Sequence, residues 1–166
     1  MAWTAPRTWV TGETPTAANF NTHLRDNLKA IGDPWTAYNP AWTALTTNPV
    51  IGDGTIQGAY VPAGKLIHFW VKITMGASTT YGTGAYLIGL PVLQVLTPRW
   101  AFSGLLRDVS AGSSYPIIGE QEAASQIKIA RLPTTAGGAL IACTGTAPVT
   151  LASGDTLQMH GTYEAA

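Results

Sequence analysis

The residue types that carry out most enzyme chemistry are few in this chain and widely spaced. Its three histidines, His23, His68 and His160, show none of the H-x-H, H-E-x-x-H or C-x-x-C spacings that are typical of zinc sites. No G-x-S-x-G motif indicates a serine nucleophile, and Ser113 and Ser114 follow a glycine in a polar loop. The sequence therefore predicts no metal site, no cofactor and no catalytic triad.

The acidic residues suggest no catalytic pair either. A glycosidase needs two carboxylates that flank a groove. The carboxylates of this chain are predicted in or beside turns, where aspartate commonly bonds the local backbone; they include Asp53, Asp108, Glu120, Glu122 and Asp155. We expect a protein that is not an enzyme, and a polysaccharide depolymerase is a less favoured alternative.

The only cysteine, Cys143, ends the apolar run A-L-I-A-C. A single cysteine cannot form an intrachain disulfide, and free cysteines are among the most buried residue types in proteins. We therefore predict a buried structural thiol rather than a reactive one.

Charge is unusually scarce in the chain. Of its 166 residues 18 are charged, nine of each sign, which is 11% against about 25% in a typical soluble domain. A net charge of zero provides no attraction to nucleic acid or to anionic membranes, and no apolar run is long enough to insert across a bilayer. Because so uncharged a surface is typical of contact regions, we predict a homo-oligomer.

One helix is predicted near the N-terminus, over residues 15–31. Thr14 is suited to cap it, Pro15 to its first position and Gly32 to its end. Its apolar residues recur at spacings of four, four and three and form a single stripe, which consists of Phe20, Leu24, Leu28 and Ile31. Such a stripe needs a surface to bury against. We predict that residues 1–40 form an anchor, to which Trp3 and Trp9 also belong.

From residue 41 to residue 166 the pattern changes to short alternating runs separated by glycine, proline, asparagine and serine. This pattern is typical of an all-β sandwich or barrel. The clearest strand covers residues 65–75, and others are predicted at residues 42–47, 55–61, 85–90, 99–107, 125–132, 139–144, 147–151 and 156–163. About eight or nine strands suit a jelly roll. The predicted fold is mainly β, a single jelly-roll-like β-sandwich preceded by a short helical anchor.

Several aromatic residues near strand ends and turns are candidates for contacts with a ligand or a partner. Aromatic rings can stack on a sugar or anchor a protein contact. The alternative is that they fill the core of the sandwich, as Trp and Tyr often do. The candidates are Trp70, Tyr81, Trp100 and Tyr115.

Residues 8–28 follow the pattern W-x-x-G-E-x-x-T-A-A-x-x-N-x-x-x-R-D-N. This segment resembles a leader that recurs in structural proteins of phages infecting actinobacteria and their relatives. Residues 35–40, 52–60 and 82–86 resemble the β domain that often follows that leader. Residues 153–164 are similar to the last strand of trimeric heads of the C1q/TNF shape, which also occur at the tips of phage fibres.

The resemblance implies a virion protein, assembled in the host cytoplasm, that forms a trimer and contacts other virion proteins of the tail or capsid. A tail or fibre protein that contributes to host adsorption is the leading hypothesis, with a host glycan or surface protein as its further partner. A capsid decoration protein that stabilises the shell is the alternative, and a lectin-like module is less favoured. The resemblance implies no catalytic residue, because the family pattern contains none.

Overall fold

The N-terminal helix has two α-helical parts joined by a wider π-helical turn. A computed structural model describes residues 4–133, 135 and 137–166. In it α1 (Ala17–Phe20) leads through the π turn (Asn21–Arg25) into α2 (Asp26–Gly32). The N-cap is Thr16, whose Oγ1 accepts the Asn19 N–H at 3.2 Å, and not Thr14 as the sequence suggested. The helix itself is confirmed, and Trp3 lies outside the described residues.

After the helix, the residues that the structure describes form ten β-strands. They are β1 (Thr36–Tyr38), β2 (Trp42–Ala44), β3 (Thr55–Ala63), β4 (Leu66–Thr74), β5 (Tyr86–Gly89), β6 (Ala101–Asp108), β7 (Ser113–Ala123), β8 (Gln126–Arg131), β9 (Ile141–Ala142) and β10 (Thr156–Glu164). The strands pair in the order β1-β3-β4-β10-β6-β7-β8-β5-β2, with β9 beside β8, and every described pairing is antiparallel. The predicted anchor, residues 1–40, thus includes the first strand of the sheet.

β4 is the strand that the alternating pattern predicted best. Its inward residues are buried, and its outward residues include His68 and Trp70, which are exposed. The buried set that continues through the end of the strand is Ile67, Phe69, Val71, Ile73 and Met75. The period of two is preserved because β4 pairs on both sides, with β3 and with β10, and only one of its faces meets the core.

Three strand predictions need correction. β1 was not predicted, because residues 36–38 were assigned to the anchor. β7 was missed, and Glu120, predicted in or beside a turn, lies within it; Pro116 and Gly119 are unfavourable in strands and mask its pattern. Residues 147–151 do not form a strand in the described structure. Pro148 has no N–H to offer a ladder, and the Leu151 N–H instead donates to the Gly145 carbonyl at 2.9 Å.

The sheet curls so that the end of one outermost strand comes near the start of the other. β1 and β2 are these outermost strands, and only residues 39–41 separate them in the chain. A link this short spans roughly 10–14 Å, so Tyr38 and Trp42 lie within that distance. The Gly89 N–H donates to the Ala41 carbonyl at 2.8 Å, and Gly58 has no room for a Cβ, which would stand 2.7 Å from Tyr38 Cε1 and from Pro40 Cγ. The mainly β, jelly-roll-like fold is confirmed as one curled antiparallel sheet.

The core lies inside the curl and is strongly aromatic. Phe69, Phe102 and Tyr163 meet edge to face, with ring centroids 5.2 to 6.1 Å apart. Tyr163 reaches the interior with a satisfied hydroxyl, since it donates to the Val92 carbonyl at 2.7 Å. The strands β4, β6 and β10 that carry these rings are neighbours in the sheet, so the three rings pack together on its inner face.

Candidate functional site

The N-terminal extended segment is fastened to the helix by one asparagine. Asn27 Nδ2 donates to the Thr4 carbonyl at 2.8 Å, and Asn27 Oδ1 accepts the Thr4 N–H at 3.0 Å. His23 Nδ1 lies 3.2 Å from the Ala5 carbonyl oxygen. The side chain of Asn27 is buried, although a polar residue on a short helix would normally face water. Asn27 was not among the candidate residues, although its place at the end of the R-D-N motif was the available signal.

A second contact stacks the two N-terminal aromatic rings. A turn closed by the Glu13 N–H and the Val10 carbonyl, 3.0 Å apart, returns the chain toward the helix. Trp9 then stacks on Phe20 with centroids 5.8 Å apart and planes at 29°. The Arg7 guanidinium lies over the Trp9 ring at 5.2 Å and pairs with Glu13. The leader is thus a small folded unit built on one side of the helix.

Much of the apolar stripe of the helix is open to solvent in the described structure. Phe20 is 47% exposed, Leu24 45%, Leu28 69% and Ile31 61%. Among the helical residues that the structure describes, only Asn27 and Ala30 are buried, and α2 packs against β3. Leu24, Leu28 and Ile31 line a shallow apolar depression of about 230 Å³ next to Pro6. Trp9 covers part of Phe20, and the rest of the stripe stays open to solvent in the part of the chain that the structure describes.

The four aromatic candidates of the β domain occupy two kinds of position. Trp70 is 37% exposed on the outer face of β4. Tyr81, Trp100 and Tyr115 are partly buried and pack against the core. Burial raises the pKa of the Tyr81 hydroxyl. A ligand contact by any of the four stays a prediction. Trp70 is the most exposed of them.

The histidines do not come together as a metal site. His68 accepts or donates a 2.7 Å hydrogen bond with Thr162 Oγ1 on the neighbouring strand, and His160 stands opposite Trp70 in the same register. His23 belongs to the helix, at the Ala5 contact. Among the described residues no group of three or more His, Cys, Asp or Glu side chains is placed to hold a metal ion.

Three aspartates bond the backbone of turns, as the sequence suggested. Asp155 is fully buried and accepts the N–H groups of Val109, at 2.9 Å, and Ala152, at 2.8 Å. Asp108 accepts from the Ala111 N–H and the Ser110 hydroxyl, and these bonds hold its pKa below the usual range. Asp53 accepts hydrogen bonds from the Ser78 N–H and the Ser78 hydroxyl, and these bonds lower its pKa. Each carboxylate thus serves the local structure.

Two glutamates of β7 flank a lysine on the outer face of the sheet. Lys128 Nζ lies 3.5 Å from Glu120 Oε2 and 3.4 Å from Glu122 Oε2. Partly exposed ion pairs of this kind contribute roughly 0–1 kcal/mol each. The pairing places both carboxylates beside the same cation.

Cys143 lies in the core, as predicted. It is free and fully buried, and desolvation raises the pKa of its thiol to about 12. Since the thiolate is the reacting species, we expect almost no modification of the folded protein by iodoacetamide at pH 8. In guanidinium chloride the thiol should react at the rate of a free cysteine. Mass spectrometry of timed samples checks this, and rapid labelling of the folded protein would contradict the buried position.

No helix among the described residues is long and apolar enough to cross a membrane. Comparisons with protein-family models, with characterised proteins and with solved structures give no match to the chain.

Proposed function

We propose that the chain is a non-enzymatic structural protein of a tailed-phage particle, a homotrimer whose N-terminal segment anchors it and whose β domain faces outward. The observation that carries this proposal is the exposed stripe of Phe20, Leu24, Leu28 and Ile31 on a helix that is braced by the folded leader. The resemblance of residues 8–28 to the leader of phage structural proteins supports the same role.

The energetics of the stripe favour a partner. Burying one large aliphatic or aromatic side chain stabilises a contact by roughly 1.5–3 kcal/mol. The stripe holds four such side chains in one row, each at least 45% exposed. Three copies packed around a common axis would cover all of them, and a groove on another virion protein would do the same. An amphipathic helix with an unpaired apolar face is typical of such contacts.

The β domain suits a display role that needs no chemistry of its own. Its described aspartates bond turns, and its β7 glutamates pair with Lys128, which supports a function without a catalytic carboxylate pair. The two edge strands of the sheet, β1 and β2, have only three residues each, and edges this short offer little for other chains to pair with. Such a domain can stand at high density on a particle surface without edge-to-edge aggregation.

Among positions on the particle we favour the tail, as a fibre-type protein that contributes to host adsorption. The similarity of residues 153–164 to the last strand of trimeric fibre heads supports this choice, and these residues form β10 at the centre of the sheet. Capsid decoration is the alternative, in which the trimer would add stability to the shell by binding its assembled form.

Immunogold labelling of intact particles tests the proposal. An antibody raised against the β domain should label virions of the phage that encodes the chain, at the tail tip if the protein serves adsorption. Label over the head would replace the tail hypothesis with the decoration hypothesis. Particles without label, under conditions in which an antibody against the major capsid protein labels them, would overturn the virion proposal.

A further inference from the structure

A shallow depression of about 410 Å³ lies on the outer face of the sheet beside Trp70. The register places Ala59 opposite both Ala37 of β1 and Trp70 of β4. Small residues, Ala37, Gly58 and Ala59, therefore form the floor, and the indole of Trp70 forms one side. The volume falls within the roughly 300–1,000 Å³ of small-molecule sites.

The rim of the depression carries two side-chain amides, from Asn39 and Gln57. Both residues are exposed, and neither amide has a hydrogen-bond partner in the part of the chain that the structure describes. An amide offers two N–H donors and one carbonyl acceptor, the combination that matches a vicinal pair of hydroxyl groups. The two amides are thus free to bond a polyhydroxylated ligand.

The lining of the depression is uncharged. Its residues include no Asp, Glu, Lys or Arg, and the nearest cation in the strand register, Lys72, stands opposite Gln57 and outside the lining. A charged ligand would lose hydration in this depression without gaining a counter-charge. An aromatic ring, a floor of small side chains and free amides together suit a ligand with one apolar face and hydroxyl groups at its edge.

We propose that this depression binds one uncharged sugar ring, whose C–H face lies on Trp70 and whose hydroxyl groups bond Asn39 and Gln57. The inference rests on the proposed role in host adsorption, for which it names the ligand class. Binding at one open depression is weak, with a dissociation constant in the range of about 1 mM. Several copies on one oligomer raise the overall binding by a factor of about 10² to 10⁴.

Saturation-transfer NMR of the full chain tests the site. The probes are the methyl glycosides of glucose, galactose, mannose and N-acetylglucosamine, together with glucuronic acid. At least one neutral glycoside should receive transfer from the wild-type protein. Trp70→Ala should weaken its binding about tenfold, because the stacking surface is lost.

The strands provide matched controls for both interactions. Gln57 and Gln158 stand on opposite sides of Lys72 in the register, but only Gln57 lines the depression. Gln57→Leu should therefore weaken binding several-fold, while Gln158→Leu and the outer-face variant Leu105→Ala leave it unchanged. Thermal unfolding of each variant shows that the fold persists.

Three results would overturn this inference: no transfer to any neutral glycoside, transfer to glucuronic acid alone, or binding that survives Trp70→Ala. Its failure is distinct from that of the proposed function. A protein that labels the virion and binds no sugar contradicts only the sugar site. A protein that binds sugar through Trp70 but is absent from the particle contradicts only the virion role.

Discussion

Leu24→Asp is expected to convert the assembled protein into a monomer of 17.4 kDa while the β domain remains folded. Leu24 is 45% exposed within the apolar depression of the helix, next to Leu28 and Ile31. In an assembled contact the substitution removes roughly 1.5–3 kcal/mol of apolar burial from each copy. It also buries a carboxylate without a partner in every copy, which costs several kcal/mol more. Both effects favour the separated chains over the assembled protein.

Thr22→Asp is the matched control for Leu24→Asp. Thr22 is exposed in the same π-helical turn and lies outside the apolar stripe, so a new carboxylate there stays in water. Light scattering coupled to size-exclusion chromatography should give three times the chain mass for the wild type and for Thr22→Asp. Far-UV circular dichroism reports the β fold. A Leu24→Asp protein that keeps the assembled mass would refute the anchor hypothesis, and a wild type that is monomeric throughout would refute the trimer.

Asp155→Ala is expected to lower the free energy of unfolding by about 2–5 kcal/mol. The carboxylate is fully buried and accepts two backbone N–H groups, from Val109 after β6 and from Ala152 before β10. Alanine leaves both donors buried without an acceptor, and each unsatisfied donor costs about 1–3 kcal/mol. Because β6 and β10 are paired neighbours, the two turns that Asp155 joins lie at the same end of the sheet.

Asp53→Ala is the corresponding control. Asp53 accepts comparable hydrogen bonds from Ser78, but it is exposed, so water can replace the carboxylate. Unfolding in guanidinium chloride at pH 7 can be followed by tryptophan fluorescence. The denaturant concentration at the midpoint should fall much further for Asp155→Ala than for Asp53→Ala. Equal shifts would mean that burial does not set the contribution of Asp155.

Local patterns in the sequence predicted the elements whose residues all favour one conformation. The helix was predicted because a capping residue, Thr14, precedes Pro15, and apolar residues then recur at spacings of three and four as far as residue 31. β4 was predicted because every second residue from Ile67 to Ile73 is apolar, while the residues between them include His68 and Lys72. β7 was missed because its proline and glycine contradict a local strand pattern, and its pairing with β6 and β8 overrides that preference.

Sequence spacing alone could predict the apolar stripe of the helix, but it could not predict the Trp70 depression or the contact of Asn27 with Thr4. Phe20, Leu24, Leu28 and Ile31 could be placed on one face from the helical period alone, because they belong to one continuous element. The Trp70 depression could not, since its floor and rim come from β1 and β3 and depend on how those strands pair with β4. The contact of Asn27 with Thr4, 23 positions apart, needed the return of the leader onto the helix.

Composition and local periodicity were sufficient to predict the class of fold, the scarcity of charge, the burial of Cys143 and the apolar stripe. Periods of two and 3.6 can be recognised within a short window of the sequence. Other features depend on contacts between residues far apart in the chain: the curl of the sheet, the hydrogen bond that Asp155 accepts from Val109, and the floor of the depression beside Trp70. Strand order is set by the packing of the whole core, because each antiparallel pairing satisfies the same local hydrogen bonds whichever neighbour provides them.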